Sequence, residues 1–87
     1  MRARVVVSGR VQGVWFRDSC RREAVARDVA GWVRNRMDGT VEAVFEGAEP
    51  AVAQCVAWCR TGPPRADVSG IEVTQEPAEG LVGFQIR

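Results

Sequence analysis

The chain has 87 residues, 46% of them hydrophobic and 26% charged, a balance that fits one small globular domain and excludes disordered, collagenous and fibrous chains. Twelve basic and eleven acidic residues leave a formal net charge of +1, and their interspersion argues against a sequence-independent electrostatic grip on nucleic acid or anionic lipid. Histidine is absent, which removes the usual general base, the phosphohistidine nucleophile and the commonest metal ligand together.

Arg4 to Arg10 centres on Val5-Val6-Val7 and is bounded by Ser8-Gly9, the composition of a buried strand. From Asp18 to Arg27 helix formers run without Gly or Pro, and Cys20 and Ala24, four apart, share a face. Gly31 restarts an extended segment, Trp32 to Met37. Asp38-Gly39 is a two-residue hairpin signal into Thr40 to Glu46, where Val41, Ala43 and Phe45 alternate with positions expected to be polar or exposed. Pro50 lies near the start of a second helix, whose Val52, Cys55, Val56 and Cys59 fall at i, i+3, i+4 and i+7 before Gly62-Pro63-Pro64 ends it. Asp67 to Glu76 is the next strand; after a turn through Pro77 to Gly80, Val82, Phe84 and Ile86 alternate to the end, so a closing hairpin is expected. The order β-α-β-β-α-β plus a final strand predicts an α+β, ferredoxin-like sandwich, two helices on one face of a largely antiparallel sheet. Residues 1–87 form one domain with no repeat or linker.

The fold hosts many functions, so function is argued from residues. Between the first strand and first helix, Gly9 to Arg17 carries two glycines that let backbone N–H groups converge, with the positive end of a helix behind them. Such loops more often merely turn the chain than bind phosphate, but Arg17 at the loop's end adds a guanidinium suited to phosphoryl oxygens. Asn35, by residue type alone, reads as a turn or strand-end residue bonded to its own backbone. Trp15, Phe16, Trp32 and Trp58 read first as packing residues, with Trp15 a candidate for the mouth of a pocket.

Covalent and metal-dependent alternatives find little support. Cys20, Cys55 and Cys59 lack the C-x-x-C spacing of zinc or redox sites and read as reduced thiols. Cys59 to Arg65 has the spacing of a cysteine phosphatase loop, but Pro63 and Pro64 remove two of its backbone donors. No Asp-x-Asp pair occurs, and Glu42, Glu46 and Glu49 are expected at solvated positions rather than in a metal cluster. No secretory leader or membrane span is legible, so a cytoplasmic location is expected.

The run Gly9-x-Val11-Gln12-Gly13-Val14-x-Phe16-Arg17, followed by Gly31-Trp32-Val33-Arg34-Asn35-x-x-x-Gly39-x-Val41 and then Gly47, resembles the two signatures of the acylphosphatase family. Trp58-Cys59-Arg60 before Gly62-Pro63-Pro64, and terminal Phe84-x-Ile86-Arg87, extend the likeness over essentially the whole chain; it departs at Asp28, where the family often has Gly. The resemblance implies hydrolysis of a small acyl phosphate to carboxylate and inorganic phosphate, without metal, cofactor or covalent intermediate. It implies that Gln12, Gly13, Val14, Trp15, Phe16 and Arg17 bind substrate, that Arg17 clamps the phosphoryl group, and that Asn35 orients the attacking water. A monomer without nucleic-acid or membrane partners is expected. The alternative is a non-catalytic phosphate-binding or interaction module, disfavoured by the presence of Arg17 and Asn35 and by a sequence that stops at residue 87. A single-stranded RNA module is opposed by the lack of closely spaced exposed aromatics in the third strand.

Overall fold

Alternation along Arg2–Arg10 puts Ala3, Val5 and Val7 on one face, all fully buried, and makes this segment, β1, a hydrophobic floor for helices. The computed structural model describes residues 1–87, and the chain continues through α1 (Phe16–Ala26), β2 (Ala30–Asn35), β3 (Val41–Glu46), α2 (Glu49–Cys59), β4 (Asp67–Glu76) and β5 (Phe84–Ile86). The strands form one sheet in the order β4-β1-β3-β2-β5. Both helices cover the same face, α1 over β2 and β5, α2 over β1 and β3. Their apolar stripes, Phe16, Cys20 and Ala24 on α1 and Val52, Cys55 and Cys59 on α2, are buried against it. Phe16 meets Trp58 across the helix pair with ring centroids 5.1 Å apart. No helix is long and apolar enough to cross a membrane.

The α+β sandwich matches expectation; the closing hairpin does not form. β5 lies parallel to β2, with Gly31 opposite Phe84 and Val33 opposite Ile86, so β4 and β5 occupy opposite edges of a mixed sheet. The connection explains the route. The Glu46 carboxylate accepts N–H bonds from Glu79 and Leu81, each 2.7 Å, and Gly31 donates its N–H to Gly83 at 2.9 Å. These bonds carry residues 77–83 across the end of the sheet to the β2 edge.

Two glutamates expected in solvent are buried instead. Glu42 is 1% exposed and Glu46 is 8% exposed, whereas Glu49 is exposed as expected. Both lie on the helix-free face of the central strand β3, where side chains from neighbouring strands roof them. Arg4 Nη1 and Arg34 Nε each reach Glu42 at 2.7 Å, and Arg2 Nη1 lies 3.7 Å from Glu46. Alternation therefore sets which face each residue occupies, while cross-strand arginines decide that the second face is also covered.

Candidate active site

The loop before α1 begins where the β1–β4 register slips between Ser8 and Gly9. Gly9 has φ +116°, and a Cβ there would stand 2.3 Å from the Asp67 carbonyl oxygen, so only glycine permits the strand to bulge this close to β4. Val11, Val14 and Phe16 then plug into the core, leaving Trp15 71% exposed between them. Gly13 at φ +72° and Trp15 at φ 67° turn the chain directly into α1, whose N-cap, Trp15, provides no side-chain hydrogen bond. Consequently none of the backbone N–H groups from Gly13 to Asp18 donates to another group of the protein. A run of unbonded amides at a helix N-terminus is a strong anion-attracting arrangement.

Arg17 and Asn35 line one open cleft of about 350 Å³, together with Val11, Gly13, Trp15, Phe16, Asp18 and Ile86. Arg17 forms no salt bridge; Asp18 beside it pairs with Arg22 at 3.1 Å and leaves the Arg17 charge uncompensated. Asn35 ends β2, held by its pairing with Val41, and its carboxamide makes no hydrogen bond within the protein. The turn-residue reading of Asn35 does not fit, because Asp38 performs that task. Asp38 Oδ1 accepts from the Thr40 hydroxyl at 2.6 Å and the Thr40 N–H at 3.0 Å, which holds its carboxyl below the usual range.

The remaining candidates divide. Gly13, Trp15 and Phe16 line the cleft with Arg17, while Val14 is a core plug. Gln12 is not among the lining residues: its Nε2 donates to the Arg36 carbonyl at 2.8 Å and the Thr40 carbonyl at 3.0 Å. Asp18 and Ile86 also line the cleft, outside the residues expected from the sequence. Ile86 arrives from β5, so its place depended on the sheet edge that β5 joins; its signal was the alternation that puts Phe84 and Ile86 on one face.

The cysteines stand apart from the cleft. All three are buried at the helix–sheet interface; a hydrogen bond with Cys59, and then burial, push the Cys20 thiol up, and burial pushes Cys55 up to about 11. Neither group is a thiolate at neutral pH. No cluster of three or more His, Cys, Asp or Glu side chains is placed to hold a metal ion.

The sequence profile described as Acylphosphatase matches residues 3–86. An acylphosphatase of Rubrobacter xylanophilus is 60% identical over 99% of this chain and 79% of its own length, and one of Natronomonas pharaonis is 53% identical over 100% and 95%. The crystal structure of acylphosphatase from Bacillus subtilis superposes with a TM-score of 0.94 at 44% identity, covering 99% of this chain and 97% of that one. With the fold, both sequence signatures and full-length likeness in agreement, this chain belongs to the acylphosphatase family.

Proposed function

We propose that this chain hydrolyses small acyl phosphates in the cleft between the Gly9–Arg17 loop and the end of β2, with Arg17 and Asn35 in separate roles. The observation that carries the proposal is the convergence on one cleft of an unpaired guanidinium, an unbonded carboxamide and the free amides that open α1. The amides of Gly13 to Arg17 and the Arg17 fork bind the phosphoryl oxygens, where charge spreads in a loose transition state. Val14 and Phe16 take part through backbone alone, since their side chains are core plugs. Asn35 hydrogen-bonds the water and holds it in line with the bond to be broken.

Water oxygen attacks phosphorus, the P–O bond to the acyl group breaks, and the carboxylate leaves with the bonding electrons. The proton lost by water passes to a phosphoryl oxygen, so the dianionic substrate gives carboxylate and dihydrogen phosphate. A carboxylate is a good leaving group, so neither a covalent nucleophile nor an imidazole base is required. The raised Cys20 and Cys55 thiols, buried away from the cleft, support a direct route without a cysteine nucleophile.

Acetyl phosphate turnover in H₂¹⁸O tests the proposal, with the label expected in phosphate and not in acetate. Arg17→Ala should weaken inorganic phosphate competition at least ~10-fold, as expected for a charged contact of about 1.5–3 kcal/mol, and Arg17→Lys should restore little of it. Label in acetate would overturn attack at phosphorus, and unchanged phosphate affinity in Arg17→Ala would overturn the clamp.

A further inference from the structure

Two parts of the proposed site come from separate pieces of chain. The anion-binding amides belong to the β1–α1 loop, and Asn35 belongs to the β2–β3 hairpin. Sheet pairing between β1 and β3 ends at Val7 opposite Val41, before either piece reaches the cleft. Beyond it, the only hydrogen bonds joining residues 9–17 to residues 35–40 are the two from Gln12 Nε2, to the carbonyls of Arg36 and Thr40. Two carbonyl acceptors require the NH₂ end of the amide, and they use both of its donors. The hairpin tip they grip is already rigid: Arg36 donates its N–H to Thr40 at 2.9 Å, Gly39 donates to Arg36 at 3.2 Å, and Asp38 bonds Thr40. Gln12 adjoins Gly13 at one end of the contact, and Arg36 adjoins Asn35 at the other.

From this juxtaposition we infer that Gln12 is a positioning residue for hydrolysis, a clasp that fixes Asn35, and so the water it holds, at the right distance from the phosphoryl group. The inference rests on the proposed reaction and assigns Gln12 no contact with substrate. Its consequence is a split between parameters. The loop amides and Arg17 do not depend on the hairpin tip, so phosphate binding is independent of the clasp, whereas in-line attack is not.

The test measures acetyl phosphate turnover and inorganic phosphate inhibition for wild type, Gln12→Ala and Gln12→Glu between pH 5 and 8. In Gln12→Ala, kcat should fall by ~30-fold or more, the effect of a displaced positioning group, while the phosphate inhibition constant moves less than about threefold. Gln12→Glu sets a carboxylate against two carbonyl oxygens, so at pH 8 it should be worse than Gln12→Ala; as pH falls, protonation gives it one donor, and its kcat should climb at least ~10-fold relative to Gln12→Ala. The charged groups on the segments that meet there, Arg10 on the loop, Arg17 and Asp18 on α1, and Arg36 and Asp38 on the hairpin, are the same in Gln12→Ala, so the ratio isolates position 12. A ratio flat with pH, an unchanged kcat in Gln12→Ala, or a parallel loss of phosphate affinity would each overturn the clasp. An inactive wild type would instead overturn the hydrolytic reading, and the inference with it.

Discussion

Only two non-glycine residues adopt left-handed backbone, Trp15 at φ 67° and Asp28 at φ 57°, and their surroundings differ. Trp15 is the exposed turn residue between two core plugs, and it lines the cleft. Asp28 follows α1 in the position where the sequence departs from the family's frequent Gly, and its side chain makes no ion pair or hydrogen bond. Its conformation is thus strain without compensation. Asp28→Gly should raise stability by about 0.5 kcal/mol, the relief of the left-handed penalty less the entropy that glycine adds to the unfolded chain. Urea denaturation checks this, and a loss of stability would show that Asp28 is held by an interaction of its own. At this scale the sequence was informative for Arg17 and Asn35, whose motifs are local. It was not for Gln12: its place in the Gly9–Arg17 loop is visible in the motif, but the acceptors of its carboxamide lie on the β2–β3 hairpin.

At the scale of elements, most segments were readable because their periodicity is local. β4 has the bounds that its β-rich composition suggests, Asp67–Glu76. α1 starts two residues earlier than expected, at Phe16, because neither helix has a side-chain N-cap to mark its start. The last strand joins β2 and not the expected hairpin, since alternation at Phe84 and Ile86 sets a face and not a neighbour. What sends it to β2 is the Glu46 carboxylate, held below the usual range first by the Glu79 N–H, then by the Leu81 N–H and by Arg2. A carboxyl lowered in the folded state adds stability above its ordinary titration range and loses it as pH falls through the folded value. Glu46→Gln should therefore destabilise the protein at pH 7 and by much less at pH 3, read as the difference in Tm from wild type. A difference independent of pH would mean that the charge does not anchor residues 77–83. The buried thiols between helices and sheet make a second prediction: iodoacetamide at pH 7 should label folded protein far more slowly than urea-unfolded protein, with turnover retained. Rapid labelling with loss of turnover at unchanged circular dichroism would place a thiol in the reaction.

For the molecule as a whole, the sheet divides the labour between its faces. One face carries the core and both helices, and the other carries a charged roof over β3. Glu42 sits inside that roof between two half-exposed arginines, Arg4 and Arg34. Either arginine alone still pairs the buried carboxylate, but removing both strands it. Single Arg4→Ala and Arg34→Ala substitutions should each cost about 1 kcal/mol, while the double variant should cost about 3–5 kcal/mol, more than the sum. Additive losses in denaturant melts would contradict a shared buried acceptor. Sequence alternation could not show this roof, because it arises from register across β1, β3 and β2. The same long-range assembly creates the cleft from a loop near residue 15, a strand end at Asn35 and the terminal β5. In the proposed reaction, holding the phosphoryl group and placing the water are separable tasks of this cleft. The measurement that tests this most directly compares Asn35→Ala with wild type for acetyl phosphate turnover and inorganic phosphate affinity. That separation predicts a kcat lower by about 10²-fold or more, with phosphate affinity preserved. A folded Asn35→Ala protein with wild-type kcat, or one whose loss lies in phosphate affinity, would contradict it.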